Sequence, residues 1–388
     1  MGIQGKKCLF FVQGEGRGHM TQSISMKQIL EKAGMEVCEV IIGKSSHRQI
    51  PQFYYDRMKV PVTMVDSPTI TMDKNLKSAR AFGTFLNIVK GMPKFFASLS
   101  IINEKIKEHK PDLVVNFFEP LCGAYYMFYR PQVPMISVAH HHLYNHPDFK
   151  MPEGQPITKF GLRLYSWFTS FRAKKKLALS FYPFDDSTRN SIFVVPPLLR
   201  SEVLEYPTQK QNYLLVYLLN SGYMEDIISW HKRNPMEELH CFVDKKTIKD
   251  VEAYDDKLFF HQLDDRKFLQ MMANAKGLIT TAGFESVCEA MYMDKPVLMV
   301  PVDNHYEQYC NSRDATKAGA GIPAKTFEID KLLNYIPTHN TDYQSFKDWV
   351  RMSPFLILRQ VHSVLYAGDN VRQLFPQMAL QKNGMASV

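Results

Sequence analysis

The sequence predicts an α/β protein made of two doubly wound parallel sheets. Three observations carry that prediction. Short apolar runs of strand length alternate with helix-period stretches through both halves of the chain. The alternation is interrupted at Phe193-Val194-Val195-Pro196-Pro197, a stiff proline link of the kind that separates domains. A chain of 388 residues with 45% hydrophobic content can fill more than one core.

Taken in order, Lys7–Val12 reads as a strand that runs into Gly14-Glu15-Gly16-Arg17-Gly18-His19. A helical pattern follows through Met26, Ile29 and Leu30 and stops at Ala33-Gly34. Further strands are expected at Met35–Ile42, Val60–Val65, Leu113–Phe117 and Met135–Val138, with helices over Phe82–Ile102 and Glu104–His109. Beyond the proline link, strands are expected at Tyr213–Leu218, Leu239–Val243, Lys257–Phe260, Leu278–Thr281 and Pro296–Val300. The expected division is 1–195 and 196–358, then a terminal helix within 359–375 and a tail at 376–388.

The most informative stretch is Leu278–Gly321. It reads as strand, turn, helix, strand and a polar loop entering another helix. Gly283 is expected to permit a sharp turn, Ser286–Met293 has helical spacing, and Lys295-Pro296 stops that helix. A strand-to-helix turn offers backbone N–H groups and a positive dipole end, which suits a nucleotide diphosphate. Glu289, one turn into the helix, could accept hydrogen bonds from ribose hydroxyls. Glu307-Gln308 places an acceptor beside an amide, which suits sugar hydroxyls.

This unit resembles the nucleotide-sugar-binding half of GT-B glycosyltransferases, chiefly the lipid II-forming N-acetylglucosaminyltransferase and the UDP-glycosyltransferases. The resemblance rests on Ala282, Gly283, Phe284, Ser286, Glu289, Glu307, Gln308 and Asn311, in that order. It implies two Rossmann-like domains whose parallel sheets face a central cleft, an acceptor domain followed by a donor domain. Thr281 stands where the family often has a phosphate-contacting His, and Glu285 where an Asn is frequent. An acid there would face phosphate unless its side chain points away. By the same resemblance, Ser221 falls in the Gly/Ser turn beside the diphosphate, and Gln262 where the uracil edge is read.

In the first half, Gly14, Gly16 and Gly18 let the backbone approach an anion closely. The spacing is that of neither a dinucleotide fingerprint nor a P-loop. The resemblance implies that His19 faces the acceptor, a position suited to a general base. It could equally cap the helix or touch phosphate. Glu119 and His140-His141-His142 end two further strands at the same cleft, so Glu119, His141 and His142 are candidate partners or substitutes for His19. Adjacent side chains on an extended segment point apart, which argues against a metal at these histidines. The family generally works without one, so neither metal nor cofactor is expected.

Met1–Pro196 holds 26 Lys+Arg and 15 Asp+Glu, net +11, and the remainder holds 21 and 24, net −3. The first half therefore suits an anionic surface or ligand. Gly154–Phe184 has no acidic residue and mixes cations with aromatics, so 157–176 is a candidate membrane contact, with Phe82–Ile102 a second. The bland alternative is a pair of core-facing helices with basic outer faces. No nucleic-acid motif is present, so no nucleic-acid partner is expected. Six cysteines without a CxxC pair read as reduced core thiols, and no apolar run is long enough to span a bilayer. A cytoplasmic protein is expected, at the inner face of the membrane if the lipid contact is real.

The expected activity is inverting transfer of a hexose or N-acetylhexosamine from a UDP-sugar to an acceptor hydroxyl, with a membrane lipid or cell-envelope glycan precursor as candidate acceptor. The alternatives are a UDP-N-acetylglucosamine 2-epimerase-like enzyme and a non-catalytic sugar-nucleotide-binding protein.

Overall fold

The computed structural model describes residues 3–44, 49–67, 79–218, 221–243, 248, 250–303, 305–341 and 343–366; the side chains of 79–92 and 221 fall outside the description. The first lobe is built on β1 (Lys7–Gln13), α1 (Arg17–Lys32), β2 (Glu36–Lys44), α2 (Gln52–Met58), β3 (Val62–Asp66), α3 (Ala79–His109), β4 (Leu113–Phe117), α4 (Pro120–Phe128), β5 (Met135–Val138), α5 (Pro156–Thr169), β6 (Lys175–Leu179) and β7 (Ile192–Val195). Its seven strands are ordered β3-β2-β1-β4-β5-β6-β7, all pairs parallel.

The second lobe follows with α6 (Ser201–Glu205), β8 (Tyr213–Leu218), α7 (Met224–His231), β9 (Glu238–Val243), β10 (Val251–Ala253), β11 (Leu258–Gln262), α8 (Asp265–Asn274), β12 (Gly277–Thr280), α9 (Phe284–Tyr292), β13 (Val297–Met299), α10 (Tyr306–Lys317), β14 (Gly321–Pro323) and α11 (Ile329–Tyr335). Its strand order is β10-β11-β9-β8-β12-β13-β14, parallel except for the antiparallel edge pair β10–β11. Both sheets bury two faces, so strands such as LFFV and LVV are continuous apolar runs with no alternation.

The chain then forms α12 (Tyr343–Arg351) and α13 (Ser353–Leu365). α13 packs back on α1, β6 and β7, and Lys175 Nζ donates to Gln360 Oε1 at 2.5 Å. This helix begins earlier than the sequence pattern predicts, and 367–388 lies outside the described residues.

Three segments differ from their sequence reading. Phe193-Val194-Val195 is not part of a linker but lies in β7, paired with β6, so the link proper starts at Pro196. Lys175 and Lys176 are strand residues of β6, with the Lys175 ammonium 4.3 Å from the Phe193 ring centroid. The basic run therefore belongs to a sheet and not to a surface helix. The two helices expected over 82–109 form one helix, α3, with Pro93 inside it. All six cysteines are buried and unbridged.

In each sheet the order reverses between two neighbouring strands, β1 and β4 in the first and β8 and β12 in the second. Ligands of open α/β sheets bind outside the carboxyl ends of strands at such points. The loops after β1, β4 and β12 hold most of the residues that the sequence singles out.

Candidate functional site

In the first lobe, Gly14 N donates to Gly43 O at 2.8 Å, and a Cβ on Gly14 would meet Ile42 Cγ2 at 2.8 Å. The glycine loop thus exploits close approach. Gly14, Gly16 and Gly18 are all absent from the left-handed region, and Gly16, the N-cap of α1, sits at φ −119 with open space around it. A Cβ on Gly18 would lie 3.1 Å from Glu285 Cγ of the opposite lobe.

His19 follows one residue later. Its Nδ1 is 3.1 Å from Gln22 Oε1, and its ring stacks on Phe118 at 5.7 Å between centroids and lies 5.8 Å from the His141 ring. Burial and His141 lower its pKa to about 4, against the opposing effects of the Gln22 bond and the Glu307 charge. The imidazole is therefore neutral near pH 7.

His141 belongs to a 3-10 turn, His140–Asn145, after β5. It stacks on Phe118 at 4.2 Å, and its Nε2 meets Glu307 Oε1 of the second lobe at 3.0 Å. Burial alone would raise the Glu307 carboxyl, but His141, His305 and His19 outweigh it and hold the pKa at about 2. Glu307 is an anion reaching across the cleft into a histidine cluster.

His142 does not stand where the sequence reading expects it. It is 1% exposed, with Nε2 on Ser137 Oγ at 2.9 Å and Nδ1 on Ser166 Oγ at 3.1 Å. Both nitrogens are committed inside the lobe, so it ties β5 to α5 and does not face the cleft. The four histidines of this region also diverge. His140 Nδ1 meets Leu179 O, and His146 Nε2 meets Asp185 O.

Glu119 also differs from its expected role. It caps α4, accepting from Leu121 N at 3.0 Å and Ser67 Oγ at 2.7 Å, and Gly43 lies so close that a Cβ there would fall 2.2 Å from the carboxyl. No bond joins Glu119 to His19 among the described residues. Gln22, three residues along α1, takes the place on the imidazole. Burial raises the Glu119 pKa to about 7.

In the second lobe the turn after β12 is sharper one residue earlier than the sequence implies. Ala282 is at φ +61, while Gly283, the N-cap of α9, is extended at φ −67. The left-handed conformation, which favours glycine, is held here by an alanine. Phe118 does the same after β4 at φ +60. Asn311 Nδ2 donates to Ala282 O at 3.3 Å and ties α10 to the turn. Ser286 Oγ bonds Gly283 O at 3.2 Å and lies 3.3 Å from Thr280 Oγ1, inside the first turn of α9.

Phe284 packs into the seam between the lobes. It stacks on His140 at 4.1 Å and packs on Phe181 at 4.7 Å, both from the first lobe, so it joins the lobes. Glu289 is buried beneath Arg200, with Nε and NH2 on Oε1 at 2.7 and 2.6 Å. Gln308 Oε1 accepts from Val302 N at 2.8 Å, which fixes the side chain at the head of α10. Gln262 ends β11 half-buried, and its Oε1 has no partner among the described residues. The Ser221 side chain lies outside the described residues.

The sequence motif does not include Gln22 or Arg200. Gln22 had a legible signal, since a residue three after His19 on a helix shares its face. Arg200 had none, because only folding brings the end of the linker against α9.

Residues 6–337 match glycosyl transferase family 1. No curated protein matches the chain. Among solved structures, the glycotransferase of kitacinnamycin is 13% identical with a TM-score of 0.62, over 93% of this chain and 99% of that one. MurG of Acinetobacter baumannii is 17% identical with a TM-score of 0.54, over 92% and 99%. UGT2 of Phytolacca americana, complexed with UDP-2fluoro-glucose and pterostilbene, is 12% identical with a TM-score of 0.57, over 97% and 99%. At these identities the likeness is one of fold, and that fold is GT-B. With its family matched over most of its length, the chain belongs to glycosyl transferase family 1 and is a glycosyltransferase with two facing parallel-sheet lobes.

Proposed function

We propose that this glycosyltransferase inverts the anomeric centre of a UDP-hexose or UDP-N-acetylhexosamine and delivers the sugar to the hydroxyl of a membrane lipid. The observation that carries the reading is the meeting of Glu307 from the second lobe with His141 and His19 from the first. A hydrogen-bond acceptor for sugar hydroxyls and a neutral imidazole then lie together where the lobes meet. In this reading His19 takes the proton from the acceptor hydroxyl as it attacks the anomeric carbon opposite the diphosphate. Glu307 and Gln308 hold the sugar, and His141 orients Glu307. The turn Ala282–Ser286 with the start of α9 receives the diphosphate and stabilises its leaving charge. Glu289 holds the ribose, for which Arg200 must yield part of its contact. UGT2 of Phytolacca americana bears a UDP-sugar analogue on the same fold, which supports the donor class.

The lipid acceptor is supported by α5. Ile157, Phe160, Leu164 and Trp167 share one face at 77%, 67%, 49% and 46% exposure. Lys159 and Arg163 flank them on the net-positive first half. This narrows the candidate contact from 157–176 to the helix alone, which would lie in the interface of the membrane's inner face. No helix of the described residues is long and apolar enough to cross a membrane.

The test is a screen for UDP released from nucleotide sugars, with and without lipid extract, repeated in EDTA. Release that needs both lipid and His19, and survives EDTA, is expected. Release without any acceptor would indicate hydrolysis or epimerisation instead.

A further inference from the structure

Glu285 is the second residue of α9, in the second lobe, yet its side chain crosses to the first. It passes over Gly18, where its Cγ lies 3.1 Å from the position of an added Cβ. Its Oε1 there accepts from Gln22 Nε2 at 2.5 Å. Gln22 in turn presents Oε1 to His19 Nδ1 at 3.1 Å. An amide has a donor end and an acceptor end. With its NH2 committed to the carboxyl, its oxygen faces the imidazole, so Nδ1 must carry the hydrogen. In a neutral ring that leaves the lone pair on Nε2.

We propose that Glu285 is a positioning residue that fixes, through Gln22, the His19 tautomer with a bare Nε2, and does so only while the two lobes are together. The inference rests on the reading of His19 as the base. It explains how an acid at the head of α9 coexists with a diphosphate site, since the carboxyl is turned across the cleft. Burial raises its pKa to about 8, against the lowering effect of Gln22, so near neutral pH it is largely uncharged. A carboxylic acid keeps one carbonyl oxygen that only accepts, so with that oxygen toward Gln22 Nε2 the link is the same in either state. The charged and titratable groups around the pair are His141, His142 and Glu307 for His19, and Glu289, Arg200 and the Cys288 thiol for Glu285. None of them competes for Nδ1.

The experiment has a ligand-free arm and a turnover arm. Two-bond 1H–15N spectra, with the ring assigned by His19→Gln, are expected to report a bare Nε2 in the parent. Glu285→Met is expected to give mixed tautomers. In UDP release from UDP-glucose or UDP-N-acetylglucosamine with lipid extract, the same variant is expected to lose ten- to a hundredfold in kcat, with donor KM within twofold. The double substitution Gln22→Glu/Glu285→Gln places a carboxylate on Nδ1–H with an amide donor behind it. It is expected to restore kcat and to move the acid limb of the pH profile upward by about one unit, since an adjacent carboxylate favours the imidazolium. Mere packing predicts neither the rescue nor the shift. Should Glu285→Met fail to fold, Gln22→Met cuts the same link from the other lobe. An unchanged Nε2 signal and unchanged kcat in the single variant overturn the proposal. Turnover retained by His19→Ala overturns the base assignment instead, a different outcome in a different variant.

Discussion

Arg200 and Glu289 form a buried ion pair in which two guanidinium nitrogens converge on a single carboxylate oxygen, at 2.7 and 2.6 Å. The same guanidinium contacts Asp265, and Arg57 of the first lobe reaches Asp265 at 3.2 Å and Glu202 at 2.7 Å. The residue expected to hold ribose is thus also an anchor of the seam between the lobes.

Removing the cation should expose that anchoring. Arg200→Met leaves Glu289 and Asp265 without their shared partner, a change that typically costs about 3–5 kcal/mol. Burial already raises the Glu289 pKa, with Arg200 opposing, so losing Arg200 raises it further. A raised folded pKa favours the protonated form, whose stabilisation is present at low pH and is lost as pH rises. Urea unfolding is expected to show a smaller deficit at pH 5 than at pH 8. Equal deficits would contradict the assignment.

Glu119 offers a cleaner pH test because it is fully buried. Its folded pKa of about 7 lies above the unfolded value, so its contribution is complete below the unfolded pKa and is lost as pH rises through 7. Glu119→Gln keeps an oxygen for Leu121 N and Ser67 but cannot ionise. At pH 8 the variant is expected to gain about 1–3 kcal/mol relative to the parent, and at pH 5 almost nothing. Denaturation at the two pH values decides it.

Ala282 sits in the left-handed region with its methyl group fully buried. Ala282→Gly removes a strain of about 1–2 kcal/mol and adds some unfolded-state entropy, so a net gain of about 0.5–1 kcal/mol is expected. A loss of stability would mean that the methyl packing outweighs the backbone term.

The apolar face of α5 can be tested apart from catalysis. Phe160→Glu with Trp167→Glu should abolish sedimentation with vesicles containing a third anionic lipid, leaving the unfolding midpoint within a few degrees. Binding that survives the pair would move the lipid contact elsewhere, with Phe96 and Phe128, 44% and 57% exposed, as the next surface to test.

The sequence made the architecture legible where periodicity is strong. Strands such as Leu113–Phe117 and Tyr213–Leu218 are apolar at nearly every position, Asn116 excepted, because both sheet faces are covered. β6 and β7 were hidden because lysines start one and prolines follow the other, and both signals argue against a strand. In the site, the motif brought Glu307 and His19 to one cleft, but it could not orient side chains. Phe284 and Glu285 are neighbours in the motif, yet one packs into the lobe seam and the other bonds an amide across the cleft. His142 and His141 are likewise adjacent and face opposite ways, a difference set by the 3-10 turn that no spacing rule encodes.

The return of α13 to the first sheet has a mechanical corollary. The chain passes between the lobes at Pro196–Arg200 and again beside Met352. Two such points define a line, and any swing of one half against the other must pivot about it. Cutting either crossing alone leaves the halves joined, and bracing both would freeze the gap at one width.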